Sequence, residues 1–279
     1  MKIDFVKISP TENITILVKS PVTKENQLYV GTELIKYSSV YAEQVGFIEK
    51  PLSSNVVSRL QMMAGEFCGN GTMALAAYKV FEQGLNSGNE IDVPLEVSGA
   101  DDALMCHIKV LEQGKYVGTV NMPLPLVIKE DNYIICGREM TLPTVVFEGI
   151  KHIILPKEYI GDNFRNVLET SIESLNNQID CDAFGIIVFD EEKNYINPLV
   201  SIKSAGSLYW ERGCGSGSEA IGVYLAHRYK KSIECDISQP GGTITVKVEY
   251  RDKIVSASIT GNVIIVAEGT AYIYDFNRL

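Results

Sequence analysis

The 279-residue chain lacks the long hydrophobic runs that membrane insertion requires. No stretch approaches the roughly 18 consecutive apolar residues of a membrane-spanning helix, and the N-terminal segment MKIDFVKISPTENITILVKS lacks the run of about 7–15 apolar residues found in secretory signals. We therefore expect a cytoplasmic protein. Basic residues are not in excess either, because the chain has 25 Lys and Arg but 35 Asp and Glu. The resulting formal charge of −10 argues against a nucleic-acid or anionic-membrane partner.

Cysteine pairs of the C-x-x-C type are absent, although the chain has six cysteines. In a chain of this length without a secretory signal, scattered cysteines are typical of free thiols rather than of a disulfide framework. No G-x-x-x-x-G-K-[ST] motif occurs, which excludes a P-loop nucleotide site. With 46% hydrophobic and 22% charged residues, the composition is that of a globular protein, and the length suits two domains.

The order of strand-like and helix-like segments predicts an α+β protein. Short apolar segments such as NITILVKS, QVGFIEK and SRLQMM predict strands. TMALAAYKVFEQGL is rich in helix formers, and Gly84 supplies a C-terminal stop. The second half has the same order, with NFRNVLETSIESLNN and SEAIGVYLAHRYK predicted as helices and TVVFEGIKHIIL as a strand. The stretch around Pro123 and Pro125 is a candidate linker.

A cysteine followed by a glycine-rich helix start occurs twice. CGNGTMALAAY, which begins at Cys68, aligns without gaps with CGSGSEAIGVY, which begins at Cys214. The identical pairs are Cys68/Cys214, Gly69/Gly215, Gly71/Gly217, Ala74/Ala220 and Tyr78/Tyr224. The spacing is far too long for a solenoid repeat. It indicates a duplicated α+β domain with two similar lobes that face each other.

The position of each cysteine, just before a helix, has chemical consequences. Free backbone N–H groups and the helix dipole favour an anion there, which predicts a lowered thiol pKa and a site for a small carboxylate. A single such cysteine could be a packing residue, a redox thiol or a nucleophile. Two copies favour a shared function. Two thiols beside one bound carboxylate could remove a proton from one face of the adjacent carbon and return one to the other face, which is two-base racemisation.

The same motifs match the dinucleotide fingerprint G-x-G-x-x-A only weakly. No clear ribose-binding acid follows about 20 residues later, so a dinucleotide site is disfavoured. The adjacent Cys106 and His107 would point to opposite faces of a strand, which disfavours a metal site. Packing roles are expected for the remaining cysteines, at positions 106, 136, 181 and 235.

EFCGNG and ERGCGSG resemble segments of the cofactor-independent racemases of the diaminopimelate epimerase fold. ENITILV, EQVGFIE, QPGGTITV and ITGNVIIVAEGTAYI extend the resemblance over most of the chain. Within that family, the segments are most similar to those of the histidine racemases of staphylopine-type (opine) metallophore biosynthesis. The resemblance implies two pseudo-symmetric lobes, each a curved, mostly antiparallel sheet around a central helix. Residues 1–128, with a final strand at about 267–279, would form the N-terminal lobe, and residues 129–266 the C-terminal lobe.

The resemblance also implies a site. Cys68 and Cys214 would be a thiolate/thiol pair that inverts the Cα of a small amino acid, with no pyridoxal phosphate, no metal and a homodimeric assembly. The substrate-binding residues that it implies are Asn13, Glu43, Gly69, Asn70, Gly71, Glu211, Arg212, Gly215, Ser216 and Gly217. Glu211 would anchor the substrate ammonium, and the glycine-rich loops would bind its carboxylate.

Several departures from diaminopimelate epimerases point to another substrate. Gly213 leads directly into Cys214, Ile150 stands where a GNPH motif has asparagine, and Asp182 would repel a distal carboxylate. An amino acid with a neutral or cationic side chain fits better, and interconversion of L- and D-histidine is the preferred hypothesis. A diaminopimelate epimerase, a racemase of another amino acid and a non-catalytic amino-acid-binding protein remain alternatives. His152, the GNPH histidine, would either line the cleft or make a structural hydrogen bond.

Overall fold

The computed structural model of the chain describes residues 1–204 and 206–274. The elements of the first part are β1 (Lys2–Pro10), β2 (Thr15–Val18), α1 (Lys24–Ile35), β3 (Gln44–Glu49), β4 (Ser58–Met62), α2 (Gly69–Gln83), β5 (Glu90–Val97), β6 (Leu104–Glu112) and β7 (Lys115–Asn121). Those of the second part are β8 (Val127–Ile135), β9 (Arg138–Phe147), β10 (Ile150–Pro156), α3 (Lys157–Ile160), α4 (Phe164–Gln178), β11 (Ala183–Asp190), a 3-10 turn (Glu191–Lys193), β12 (Tyr195–Ile202), β13 (Ser207–Trp210), α5 (Gly215–Tyr229), β14 (Ile233–Gln239), β15 (Gly242–Arg251) and β16 (Lys253–Tyr272). Within the described ranges, no helix combines the length and the apolar character needed to cross a membrane.

The chain divides into two compact units. Unit 1 comprises Met1–Asn121 together with the segment from Ile259 onward, and unit 2 comprises Met122–Ser258. The chain thus passes between the units at Asn121/Met122, next to the predicted proline-containing linker, and again within β16. Residues 275–279 of the predicted final strand lie outside the described residues.

Unit 1 is a sheet that closes around a helix. Its strands follow the order β1-β2-β3-β4-β5-β6-β7-β16, and β16 also pairs with β1. Helix α2 contacts every strand from β1 to β7, and eleven of its residues are buried. A helix that is apolar on all sides is expected at the centre of a core rather than at its surface, which explains the alanine-rich sequence of α2.

Unit 2 is likewise a sheet that packs against a central helix, here α5. Its sheet follows the order β15-β14-β12-β11-β10-β9-β8, with β13 paired to β12. Helix α5 contacts β9, β10, β14 and β15. Helix α4 packs its apolar residues Phe164, Leu168 and Leu175 on a core cluster formed with strands β8 to β12. The fold class is therefore α+β, as the sequence predicts.

Each central helix is the crossover between two parallel strands of its own unit. In unit 1, α2 connects β4 with the parallel strand β5; in unit 2, α5 lies between β12 and the parallel strand β14. All other described pairs except β2–β3 and β10–β11 are antiparallel where the register is given. Parallel neighbours need a long connection, usually a helix. This topology places each helix N-terminus, and the cysteine before it, a few residues after a strand: Cys68 follows β4, which ends at Met62, and Cys214 follows β13, which ends at Trp210.

The structure corrects three details of the sequence interpretation. Helix α1 was not predicted, because its sequence KENQLYVGTELI has only a weak apolar periodicity and only four of its residues are buried. TVVFEGIKHIIL is not one strand, since Glu148 and Gly149 (φ 81°) form a turn between β9 and β10. KIVSASIT and NVIIVAEG, whose patterns predict two separate strands, belong to one continuous strand, the 20-residue β16.

Candidate active site

Cys68 is the N-cap of α2. Its backbone is extended (φ −138°, ψ 107°), and its Sγ accepts a hydrogen bond from the Gly71 amide at 3.2 Å. The Thr72 hydroxyl donates to the Cys68 carbonyl oxygen at 2.8 Å. A side chain that accepts from the third residue of the helix normally is that of Ser, Thr, Asp or Asn. Here a buried thiol occupies that position, with the sulfur directed at the first helical turn.

Cys214 caps α5 with the same geometry. Its φ and ψ are −101° and 108°, and its Sγ accepts from the Gly217 amide at 3.3 Å. The Ser218 hydroxyl donates to the Cys214 carbonyl oxygen at 2.7 Å, in the role that Thr72 has in α2. The duplication that the two sequence motifs indicate therefore extends to the side-chain contacts of both cysteines.

Glutamine side chains accept hydrogen bonds from both capping cysteines. The Cys68 thiol donates to Gln44 Oε1 at 2.8 Å. In unit 2, Gln239 Oε1 accepts from the Cys214 amide at 2.7 Å, while Gln239 Nε2 donates to the Ser218 hydroxyl at 3.0 Å. Neither glutamine is among the predicted site residues, although Gln44 lies in EQVGFIE and Gln239 in QPGGTITV, two segments that carry the resemblance.

Glu211 interacts with Cys214 through a hydrogen bond and through its charge. The Cys214 thiol hydrogen-bonds to the Glu211 carboxylate, and burial raises the pKa of Glu211 to about 6. Burial also raises the pKa of Cys214 well above the usual range of a thiol, and the Glu211 charge raises it further. The Gly217 amide and the Ser216 hydroxyl lower the pKa of Cys214, but with smaller effect. The predicted lowering of the thiol pKa by the helix N-terminus is therefore wrong for Cys214, because desolvation and a neighbouring carboxylate outweigh the helix amides.

The predicted substrate residues of unit 1 come from three places: the turn after β1, the residue before β3 and the first turn of α2. Asn13 is fully buried in the turn after β1, and its Nδ2 donates to Glu43 Oε2 at 3.1 Å. Its Oδ1 is a buried acceptor with no hydrogen-bond partner within residues 1–204 and 206–274. Glu43 directly precedes Gln44, the partner of the Cys68 thiol. The buried residues Gly69, Asn70 and Gly71 form the first turn of α2.

The predicted substrate residues of unit 2 differ in exposure. Gly215, Ser216 and Gly217 form the first turn of α5, and only Ser216 among them is half-buried rather than buried. Arg212 is exposed, and its guanidinium donates to the Pro240 carbonyl oxygen at 3.1 Å. The Gly241 amide donates back to the Arg212 carbonyl oxygen at 2.7 Å. These two bonds tie the segment before Cys214 to the turn that follows Gln239.

The other residues singled out in the sequence lie away from these contacts. Asp182 is exposed, and its carboxylate accepts from the Ser204 amide and hydroxyl. Cys106 is buried and His107 faces solvent, as the strand alternation predicts. Cys136 is exposed in the turn between β8 and β9, so a packing role is wrong for it. Across residues 1–204 and 206–274, no group of three or more His, Cys, Asp or Glu side chains could hold a metal ion.

His152 makes the structural hydrogen bond that was one of its two predicted roles. It is fully buried on β10, and its Nε2 lies 2.9 Å from the Ser216 hydroxyl. Burial lowers the pKa of His152 to about 3, so the ring is neutral at physiological pH. His152 thus reaches the Cys214 surroundings through Ser216, whose Oγ lies 3.8 Å from the Cys214 sulfur.

Comparison with known proteins identifies a family that the sequence of this chain matches. The family described as "Histidine racemase CntK N-terminal domain" matches residues 2–272. A histidine racemase of Fusobacterium nucleatum subsp. nucleatum is 34% identical over 276 residues, which cover 97% of each chain. The histidine racemase of Staphylococcus aureus is 30% identical over 281 residues, covering 97% of this chain and 98% of that protein.

Solved structures show the same fold at much lower sequence identity. A hydroxyproline epimerase from Agrobacterium vitis superposes with a TM-score of 0.70 at 12% identity, covering 99% of this chain and 94% of that chain. A phenazine biosynthesis protein of the PhzF family from Bacillus anthracis superposes with a TM-score of 0.66 at 17% identity, covering 98% and 100%. Together with the full-length sequence matches, these similarities show that the chain belongs to the histidine racemase family and is an isomerase of the racemase and epimerase type that works without pyridoxal phosphate.

Proposed function

We propose that the protein interconverts L- and D-histidine and that Cys68 and Cys214 are its two acid–base groups. The observation that carries the proposal is the duplicated thiol cap. Each sulfur accepts from the amide three residues later, at 3.2 and 3.3 Å, and each cysteine carbonyl accepts from the hydroxyl four residues later. A single buried cysteine is commonly a packing residue. Two matched thiols at two helix N-termini instead suit removal and return of a proton at one carbon.

Histidine is proposed as the substrate because full-length relatives at 30–34% identity are histidine racemases. The chemistry of unit 1 is compatible with an amino acid that carries an ammonium group. The buried Asn13 Oδ1 can accept a hydrogen bond, and Glu43 adds a carboxylate beside it. The first-turn amides of α2 and α5 suit the substrate carboxylate and the negative charge that develops on it when Cα loses its proton. The proposed product D-histidine would serve opine-metallophore biosynthesis.

The proton of Cys214 has a defined partner in this scheme. With its pKa raised, Cys214 is a thiol at neutral pH and hydrogen-bonds to the ionised Glu211. In one direction of reaction, Cys68 as thiolate removes the Cα proton and the Cys214 thiol delivers its own proton to the opposite face. In the reverse direction, Cys214 is the base. Glu211, with its pKa of about 6, stays ionised at neutral pH and accepts the hydrogen bond of the Cys214 thiol between turnovers.

The proposal is tested by incubating the protein with single amino acids in D2O and separating the enantiomers by chiral chromatography. With L-histidine, we expect D-histidine that carries one solvent deuterium at Cα, while the remaining L-histidine is unlabelled early in the reaction. This labelling pattern is specific to two bases, because one base would return label to the substrate enantiomer too. Diaminopimelate and proline are included as alternative substrates.

Cysteine variants test the assignment of the two bases. Cys68→Ser and Cys214→Ser should each lower the racemisation rate by at least about 100-fold, since loss of a general acid–base group typically costs 10²–10⁴. Cys136→Ser is the matched control, because this exposed thiol lies in the turn after β8 and should be replaceable. Full activity in either catalytic variant would refute the two-cysteine mechanism. Turnover of another amino acid in preference to histidine would refute the substrate assignment.

A further inference from the structure

His152 is held in one orientation by the sheet beneath it. Its strand, β10, pairs with β11, and the Cα partner of His152 is Gly185. A Cβ added to Gly185 would lie 2.4 Å from His152 Nδ1 and 2.8 Å from Cε1. On another side, the Phe147 ring packs edge-on against the imidazole, with centroids 6.1 Å apart. The glycine therefore provides the space in which the ring lies, and the ring has little room to flip.

The two ring nitrogens of His152 are in different surroundings. Nε2 lies 2.9 Å from the Ser216 hydroxyl oxygen. Nδ1 is buried and has no hydrogen-bond partner among the described residues, 1–204 and 206–274. Because burial keeps the ring neutral, only one nitrogen carries a proton.

The free-energy cost of a buried donor without an acceptor determines which ring nitrogen of His152 carries the proton. A proton on Nδ1 would be a buried N–H group without an acceptor, whereas a bare Nδ1 leaves only a lone pair without a donor. Orphaned buried N–H donors are the rarer of the two defects in proteins. The proton therefore belongs on Nε2, which then donates to Ser216.

This donation sets the direction of the Ser216 hydroxyl. An oxygen that already accepts from His152 turns its own hydrogen toward a different acceptor. The Cys214 sulfur is 3.8 Å from Ser216 Oγ, within the range of a hydrogen bond to sulfur. The Ser216 hydroxyl also lowers the pKa of Cys214, which favours the thiolate.

We propose that His152 is a positioning residue, which by donating from Nε2 holds the Ser216 hydroxyl as a hydrogen-bond donor to the Cys214 sulfur and thereby stabilises the Cys214 thiolate. The inference rests on the proposed function, because it concerns the group that takes up the proton in one direction. In this arrangement His152 never exchanges a proton itself. Glu211 is the titratable group that faces the sulfur, and it opposes Ser216 by favouring the thiol.

The tautomer of His152 can be measured directly by 15N NMR of protein labelled at its histidines. The chain has three histidines, and His152→Gln identifies the signals of His152 by their loss. We expect a protonated Nε2, a bare Nδ1 and no titration between pH 5 and 9. A protonated Nδ1, or a ring that titrates near pH 6.5, would overturn the inference.

The effect on Cys214 is measured by alkylation with iodoacetamide, with Cys214 and Cys136 quantified by mass spectrometry in the same sample. Cys136 is exposed and serves as the internal reference. Ser216→Ala should lower the Cys214/Cys136 alkylation ratio at pH 8 roughly threefold to tenfold, the effect of one lost hydrogen bond. His152→Leu should do the same. His152→Gln should retain the wild-type ratio, because the glutamine Nε2 can donate from the position of the imidazole Nε2.

A double variant separates positioning from a general structural role. His152→Leu combined with Ser216→Ala should lower the ratio no further than Ser216→Ala alone, because His152 acts only through Ser216. Additive losses, or a wild-type ratio in His152→Leu, would overturn the inference. Neither the NMR nor the alkylation measurement uses a substrate. A failure to racemise histidine therefore counts against the proposed function alone, and a wrong tautomer counts against His152 positioning alone.

Discussion

Glu219 shows at the scale of one residue how the two central helices differ. It lies five positions after Cys214, where α2 has the fully buried Met73. Only 1% of Glu219 is exposed, and its Oε1 has no hydrogen-bond partner in the described part of the chain. Burial raises the pKa of Glu219 well above that of a free carboxyl group. The folded protein therefore keeps Glu219 neutral under conditions in which the unfolded chain ionises it.

This difference makes Glu219 a source of pH-dependent instability. Below about pH 4.5, both states hold the proton and the carboxyl adds no pH dependence. As pH rises above that value, the unfolded state is stabilised by about 1.4 kcal/mol per pH unit until the folded carboxyl also ionises. Glu219→Met, which copies Met73, should raise the free energy of unfolding at pH 7.5 by roughly 1–3 kcal/mol and by less at pH 4.5.

Urea unfolding at the two pH values checks this prediction. The exposed Glu234 on β14 offers a matched control, since Glu234→Met should change the free energy of unfolding by less than about 0.5 kcal/mol at either pH. A gain for Glu219→Met that is the same at both pH values would show that packing, and not the carboxyl, is responsible. A loss at pH 7.5 would contradict the prediction.

At the scale of elements, the packing of α5 on β15 depends on a glycine. A Cβ at Gly222 would lie 2.5 Å from Val246 Cγ1 and 3.3 Å from Val248 Cγ2, both on β15. Helix propensity alone predicts that Gly222→Ala stabilises the protein by about 1 kcal/mol. Overpacking against a branched valine costs about 1–3 kcal/mol. We therefore expect a net loss of stability, and α5 with its N-cap Cys214 should shift away from the sheet.

The thermal midpoint of unfolding tests the sign of this effect. Gly222→Ala should lower the midpoint, and a second substitution, Val246→Ala, should destabilise the Gly222→Ala protein less than it destabilises the wild type. Gly269→Ala on β16 is the control, because a Cβ there would lie 3.4 Å from Phe5 Cζ, an ordinary contact distance, and a smaller change is expected. A rise in the midpoint for Gly222→Ala would show that the helix–sheet distance is not set by this contact.

At the scale of the whole molecule, unit 1 is completed by residues from the other end of the chain. Lys2 pairs with Tyr272 and Pro10 with Val263, so β16 closes the sheet that β1 begins. Strand pairs that are so distant in sequence have a high loop-closure cost and tend to form slowly. A strand without its partner also leaves backbone groups unpaired in a buried sheet. The fold of unit 1 therefore needs the C-terminal segment.

A chain that ends at Ser258 tests this dependence. We expect its amide hydrogens in β1 and β7 to lose their protection against exchange, because both strands pair with β16. Amides of α4 and β11 in unit 2 should remain protected, and they provide the control within the same sample. Retained protection in β1 would show that unit 1 closes without β16.

The candidate site was predictable to different degrees. The duplicated C-G-x-G motif identified both cysteines and both first turns, because helix caps are local structures that a few residues specify. Gln44 and Gln239 were not identified, since they reach the cysteines from 24 and 25 positions away. The sequence left two roles open for His152, and the hydrogen bond to Ser216, 64 positions later, distinguishes them. Helix α1 was missed because only four of its residues are buried, so its apolar periodicity is weak even though it packs on strands β1 to β3.

The sequence by itself determined the fold class, the two thiol caps and the family resemblance, because strand alternation, helix propensity and cap chemistry act over a few neighbouring residues. Only the tertiary structure decided the protonation chemistry. The pKa of Cys214 is raised rather than lowered, since burial and Glu211 act on the sulfur more strongly than the helix amides do. Desolvation depends on everything that packs around a group, and that includes residues from β10, β14 and the segment after β13. No local pattern carries that information.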